Sequence, residues 1–564
     1  MTSSLSRRIF TAAVTATIAL SLAACSSEEP NGPDASEGTA TQTQNAGGDL
    51  VFTIAGGNLE NGHMDPHSSQ LDVSAYVNRN IYDSLVALDE SGDVKPWLAQ
   101  SWEISEDGLA YVFTLREDVT FHDGTPFNAE AAVKNFNHIA AEETASAQAL
   151  GLLGGSLFDG AEATGDFELT LHLKEPFAPL LTNLSTAFIG MYSPAVLDSA
   201  TQDAIKAGGP EVSVGTGPFV LKEYTPAQQL VLEPNADYAW GPDIKTAGGG
   251  SLADGPAKLD SLTIRIVPEE SARVGALQSS QAHVSVDLTP TGTSQLQGAE
   301  ISSVPSPGLP YSALLNWEHG VFSDAKVRQA FEYGINLDAA VGAAFSGEYE
   351  RAWSILSPTT PNSYDSSLEG SWAYDEAKAN TLLDEAGWTE RDADGYRVKD
   401  GERLSAEWLS WLPFPDERQA LVNFMVDDLK KIGFELKHSA IEGPEYQARY
   451  ADAEGNMILD FDITDWGFAS LDADILRQHL HSAGYQNASN VKDSGLDALL
   501  EQASSNTNLE ERAQLYSQIQ KWNVEQVAIV PLYLPNFTVA SLPSVQGLAF
   551  DSFGWPLFAG ASIQ

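Results

Sequence analysis

From Asp49 onward, short runs of period-two hydrophobicity alternate with longer runs of helical periodicity, and this interleaving restricts the chain to a mixed α/β architecture with more than one sheet. The strand-like runs are residues 49–55, 111–116, 167–173 and 262–266, the first of them stopped by Gly56-Gly57. Helical spacing governs residues 129–139, 324–335, 375–386, 419–432 and 509–524. Gly387 and Gly433 stand where a helix's C-terminal glycine belongs. Breaks rich in Pro, Gly and Ser at 206–217, 242–256 and 304–310 mark the edges of units, and 564 residues leave room for three or four of them.

The first 48 residues belong to a different regime. Arg7 and Arg8 precede an apolar run, residues 9–22, with no acidic residue before Cys25, which is the pattern of an export signal and is too short for a comfortable membrane span. The run ends Leu22-Ala23-Ala24-Cys25 and resembles the bacterial lipobox, which implies a signal peptide over 1–24 and a lipid on Cys25, the chain's one cysteine. Ser6-Arg7-Arg8-Ile9-Phe10 is also similar to a twin-arginine signal, so either export route is open. Residues 25–48, rich in Ser, Glu, Gly, Thr, Gln and Asn, cannot bury a core and read as a flexible tether. A body anchored to the outer face of the cell membrane by lipid is expected, because no later apolar run approaches the roughly 18 residues of a span.

Little in the chain points to catalytic chemistry. With 78 acidic residues against 30 Lys and Arg, the formal charge of −48 would repel a nucleic-acid backbone, and one cysteine rules out a disulfide scaffold. There is no G-x-S-x-G elbow, no phosphate loop of the Walker type and no H-E-x-x-H helix. Gly215-Thr216-Gly217-Pro218 reads as a turn, and so does Asp392-Ala393-Asp394-Gly395, since Arg403 occupies the place where a calcium loop needs Glu. His63 with His67 and His479 with His481 are the pairs from which a metal site could be built, but structural or solvated histidine is the plainer reading. No cofactor, metal or enzymatic activity is expected; the alternative of another class is an extracellular hydrolase.

Asp65-Pro66-His67, Ile81 to Val86 and Pro96-Trp97-Leu98-Ala99-Gln100-Ser101-Trp102-Glu103 resemble the extracytoplasmic solute-binding proteins of ABC importers, family 5, which serves dipeptides, oligopeptides and nickel complexes. Its most characteristic segment is matched by Tyr111 to Phe127, and the likeness continues through Gly215 to Phe219, Val327 to Phe331, Ala377 to Trp388, Leu429 to Gly433 and Arg512 to Tyr516. It ends near Val530-Pro531-Leu532-Tyr533. The resemblance implies two α/β lobes of the periplasmic-binding-protein type joined by two crossing segments. The first lobe would span 49–305 with an extra subdomain at about 81–210, the second 306–529, and residues 530–564 would return to the first. It further implies a monomeric receptor that captures a peptide or peptide-like solute and delivers it to ABC permease subunits. A nickel or other metal-chelate receptor of the same fold is the alternative.

Pocket candidates follow from both lines of reasoning. Trp408 and Trp411 lie on opposite faces of a strand, so both are core only if both faces are covered. Phe461 to Phe468, with Trp466, is similar to the family's pocket-lining segment. Peptide-binding relatives usually carry an Asp three residues after that Trp, where this chain has Ala469; Ser470 and Asp472-Ala473 depart from the pattern as well. Asp465 or Asp472 would substitute only with the loop repositioned. Nickel-complex relatives lack the same carboxylate but use first-lobe arginines, and no Arg stands between Arg116 and Arg265. Position in the family adds Asn58, Asn316 and Trp317.

Overall fold

The structure is a computed structural model that describes residues 47–146, 148–245, 255–452 and 456–564. The expected signal peptide, the lipidation site Cys25 and all but the last two residues of the tether lie outside them. No helix among the described residues is long and apolar enough to cross a membrane.

The opening run forms the strand Asp49–Ile54, whose Leu50, Phe52 and Ile54 are fully buried. It is parallel to Ser261–Ile266 on one side and to Val284–Ser285 on the other. Antiparallel pairing extends the sheet to seven strands, in the order Glu300–Pro305, Asn536–Ser541, Val284–Ser285, Asp49–Ile54, Ser261–Ile266, Gln229–Pro234, Phe219–Thr225. A separate antiparallel sheet of Ala99–Ile104, Ala110–Leu115, Glu168–Leu173 and Phe158–Gly165 carries the helix Ala129–Ala140, which buries Ala132, Phe136 and Ile139. Asn128 caps that helix by accepting from the Ala131 amide at 2.9 Å. Gly215 and Gly217 lie against the backbone of Ile81: a Cβ at either would come within 2.1 or 2.5 Å of its carbonyl group. Close packing is therefore what these glycines serve, and Thr216 between them donates to the buried Asp83 at 3.0 Å.

The second sheet has the order Glu435–Ile441, Ser405–Trp411, Ile463–Ala469, Gly308–Leu315, Ile529–Tyr533. Helices cover both of its faces. Ala325–Tyr333, Leu337–Ala344 and Asp416–Lys431 pack on one, with Tyr311, Ala313, Leu315 and Trp408; Ser494–Ser505 and Leu509–Gln526 pack on the other, with Leu309, Leu314 and Leu409. Every residue of Gly308–Leu315 is buried for that reason. The helix expected from 419 starts three residues earlier, because Asp416 and Glu417 complement the positive N-terminal end of the helix dipole.

The chain crosses between the two sheets twice, after Glu300–Pro305 and before Asn536–Ser541. Ser306-Pro307 and Leu534-Pro535 make the crossings, and the Ser306 amide donates to the Pro535 carbonyl at 2.8 Å. Residues 530–533 still pair with Gly308–Leu315, so the return falls at 534–535, beyond the boundary expected at 530. Gly308 adopts φ +97°, and an added Cβ there would approach the Phe468 carbonyl oxygen to 2.4 Å. Two lobes thus meet across a pair of proline-bearing strands. They also touch away from the crossings, where the Ala178 amide donates to the Ser504 carbonyl at 2.8 Å.

Candidate functional site

Between the lobes lies a cleft of about 1090 Å³. The first lobe contributes Gln70, Asp72, Phe188, Phe553 and Trp555; the second contributes the end of the strand Ile463–Ala469 and the loop and helix after it. That strand reaches the cleft because its neighbour Gly308–Leu315 emerges from the crossing, and the Ser470 amide donates to the Pro307 carbonyl at 3.0 Å. Phe468 and Ala469 line the cleft and also a smaller cavity of about 300 Å³, which Trp411, Trp466, Phe414 and Arg418 help enclose.

Six of the pocket candidates singled out in the sequence therefore gather here: Trp411, Asp465, Trp466, Phe468, Ala469 and Asp472. Trp411 is 51% exposed and meets Tyr446 edge to face at 5.2 Å. Trp408, on the other face, is 1% exposed and donates its Nε1 to Asp465 at 2.8 Å, so only one of the pair reaches a cavity. Asp472 lines the cleft, but both its oxygens are held by Arg512 at 2.6 and 2.7 Å, which spends the carboxylate on the scaffold. Asp465 is equally committed, accepting from Trp408, Ser410 and Tyr311. The Arg418 guanidinium lies 3.9 Å over the Tyr311 ring and donates to the Tyr533 hydroxyl at 2.9 Å.

The remaining three do not line either cavity. Asn58 is an exposed turn residue at φ +67°. Asn316 is buried and holds a loop, donating to the carbonyls of Leu459 and Phe461 at 2.9 and 3.1 Å and accepting from the Glu318 amide. Trp317 stacks on Trp522 at 5.6 Å, and the Arg328 guanidinium lies 3.9 Å from the centre of its ring, a packing role. Asn316→Ala is expected to cost about 1–3 kcal/mol of stability, read by urea unfolding, because buried carbonyls lose their donor while the cleft is untouched.

The histidine pairs separate. His67 turns from His63 to His138, Nδ1 to Nδ1 at 2.9 Å, and donates Nε2 to the Gly190 carbonyl; burial, then His138, holds its pKa down at about 4. His479 is buried and pushed down to about 4 by desolvation, whereas His481 faces Glu501 at 3.3 Å. In the Asp392 turn, Arg403 bridges Asp392 and Asp394 at 2.6 and 2.8 Å, placing a cation where calcium would need an acid. Among the described residues no group of three His, Cys, Asp or Glu side chains is placed to hold a metal ion.

The walls are acidic. Among the described residues Asp72, Glu175, Asp472, Asp474 and Glu501 line the cleft against one arginine, Arg477, which pairs with Asp474 at 2.8 Å. Asp72, Phe553 and Trp555 went unnoticed in the sequence. Asp72 opens the short helix Asp72–Asn78, whose period is too brief to read, and the aromatic pair comes from the last residues of the chain.

Two α/β lobes, two crossings and a large cleft between them define a receptor that encloses a solute. A family profile described as bacterial extracellular solute-binding proteins, family 5 Middle, matches residues 93–514. The chain is 29% identical over 512 residues to heme-binding protein A of Haemophilus influenzae, covering 86% of this chain and 87% of that one. It is 26% identical over 545 residues to the oligopeptide-binding protein AppA of Bacillus subtilis, covering 94% of each. Among solved structures, NikA from Brucella suis in complex with Fe(III)-EDTA is similar with a TM-score of 0.75 at 24% identity, over 92% of this chain and 100% of that one. The chain belongs to the bacterial extracellular solute-binding proteins, family 5. It is a solute-binding protein of the ABC-transporter class and not an enzyme.

Proposed function

We propose that the protein captures a peptide or peptide-like solute in the interlobe cleft and delivers it to the permease of an ABC importer. Closure of the lobes around the crossings traps the solute, and the closed form is what the permease receives. The observation that carries this reading is the cleft itself: about 1090 Å³, walled by aromatic rings and by acids in excess of cations. That room suits an extended solute. The acidic excess favours a ligand with positive charge to offer and disfavours an anionic chelate. The name of the Bacillus relative agrees with a peptide, while the heme-binding relative and the structure holding Fe(III)-EDTA keep a metal complex as the second reading.

The protein acts as a monomer held at the outer face of the membrane by a lipid on Cys25. Cys25→Ser, which has no thiol to take the lipid, is expected to abolish incorporation of labelled fatty acid into the protein.

The soluble chain from about Gly47 is to be screened by thermal shift against di- to octapeptides, glutathione, nickel-histidine and siderophore-like chelators. A ligand at about 100 times its Kd adds about 2.7 kcal/mol to stability. Stabilisation by free peptides is expected. Stabilisation by metal complexes alone would overturn the ligand class and leave the receptor role in place.

A further inference from the structure

We propose that Asp72, on the first-lobe wall of the cleft, anchors a protonated amine of the solute beside the Trp555 and Phe553 rings, so that the receptor selects amine-bearing cations and zwitterions. This rests on the cleft being the binding site.

The cleft's five acids differ in what they are already doing. Asp472 is held by Arg512, Asp474 by Arg477 and Glu501 by His481 at 3.3 Å. Glu175 sits exposed on the turn that follows the strand Glu168–Leu173. Asp72 alone combines an uncommitted carboxylate with an aromatic wall. Among the described residues it makes no ion pair or hydrogen bond. Its helix buries Tyr76 against Trp555 at 6.2 Å, and Trp555 stacks on Phe553 at 4.4 Å and 15°, both rings lining the cleft.

The charge nearest to Asp72 is negative rather than cancelling. Asp287 accepts from the Ala55 amide at 2.9 Å, and Asp551 accepts from the amides of Phe553 and Trp555 at 2.9 and 3.0 Å. Although Asp72 opens onto cleft water, the protein packed around it, and then Asp287, push its carboxyl up to about 6. Asp551 is likewise pushed up to about 6 by burial, with Asp72 among the causes. The guanidiniums of this region do not reach Asp72: Arg273 donates to the carbonyls of Val267, Pro268, Val286 and Asp287, and Arg79 donates to Ser84 and the Ser185 carbonyl and faces Asp551. At neutral pH Asp72 therefore has no cation of its own in the ligand-free protein, while Arg79 faces Asp551. An ammonium group from the solute supplies that cation through a charge-assisted hydrogen bond, and the faces of Trp555 and Phe553 attract it as well.

The test uses a lysine-free random tetrapeptide library with free amino termini and the same library N-acetylated, each offered to the folded soluble receptor and to Asp72→Asn. Retained peptides are quantified by mass spectrometry. The wild type is expected to retain the free-amine library at least tenfold over Asp72→Asn, and the acetylated library equally poorly with either protein. Equal retention of free peptides by both proteins overturns the anchor and leaves the receptor reading intact. Retention of neither library overturns the peptide reading and the anchor together. The ligand-free melting temperature of Asp72→Asn is expected to match or exceed the wild type, since an unpaired charge has been removed; Asp72→Ser repeats the comparison should Asn fail to fold.

Discussion

Arg512→Met is expected to destabilise the second lobe by about 3–5 kcal/mol, the scale on which removing one partner of a buried ion pair leaves the other charge uncompensated. Asp472 and Arg512 have side chains 6% and 8% exposed, joined by two parallel hydrogen bonds. Arg512 also donates to the Ala503 carbonyl at 2.8 Å and to the Tyr516 hydroxyl at 3.1 Å, so the loop after the strand Ile463–Ala469, the helix Ser494–Ser505 and the helix Leu509–Gln526 all hang on one guanidinium. The double variant Asp472→Ala, Arg512→Met is expected to recover most of the loss, because no lone charge remains buried. Urea unfolding of the three proteins checks this. A loss of solute binding by Asp472→Ala with unchanged stability would instead make Asp472 a ligand group and refute the scaffold role.

A pairing such as Asp472 with Arg512 leaves no local trace in the sequence. Strands such as Asp49–Ile54 and Ala110–Leu115, and helices such as Ala129–Ala140 and Leu509–Gln526, were legible because their periodicity is local. Phe468 and Ala469, singled out through the family likeness, line the cleft. The fate of Asp472 was not legible, since its partner stands 40 residues away and nothing local announces it. Alternation correctly put Trp408 and Trp411 on opposite faces, but which face opens onto a cavity depended on helices covering Trp408 and stopping short of Trp411. Position in the family made Asn316 a pocket candidate, yet two carbonyls of a neighbouring loop claim its amide. The first-lobe wall was hidden for a topological reason: Asp72 and Trp555 are separated by most of the chain and come together only after the second crossing returns the C-terminal segment.

Leu471→Asp is expected to weaken solute binding by about 100-fold while leaving the ligand-free melting temperature nearly unchanged. Leu471 belongs to the second lobe, one residue before Asp472, yet it is 6% exposed because it packs into the apolar core of the first lobe. It closes a small cavity lined by Arg79, Trp97, Phe553 and Trp555, the same aromatic pair that faces the cleft. Burying a Leu side chain yields about 1.5–3 kcal/mol, and that gain exists only while the lobes are together. A carboxylate in the same seat forfeits it and adds a desolvation cost, so the closed population falls by two or more powers of ten at about 1.4 kcal/mol each. Opening returns residue 471 to water, where Asp is harmless to either lobe. Small-angle scattering of the ligand-free protein should then report a larger radius of gyration for the variant than for the wild type. A drop in stability of about 2–5 kcal/mol, as for a leucine lost from a permanent core, would show that the seat never opens and that closure is not what Leu471 serves.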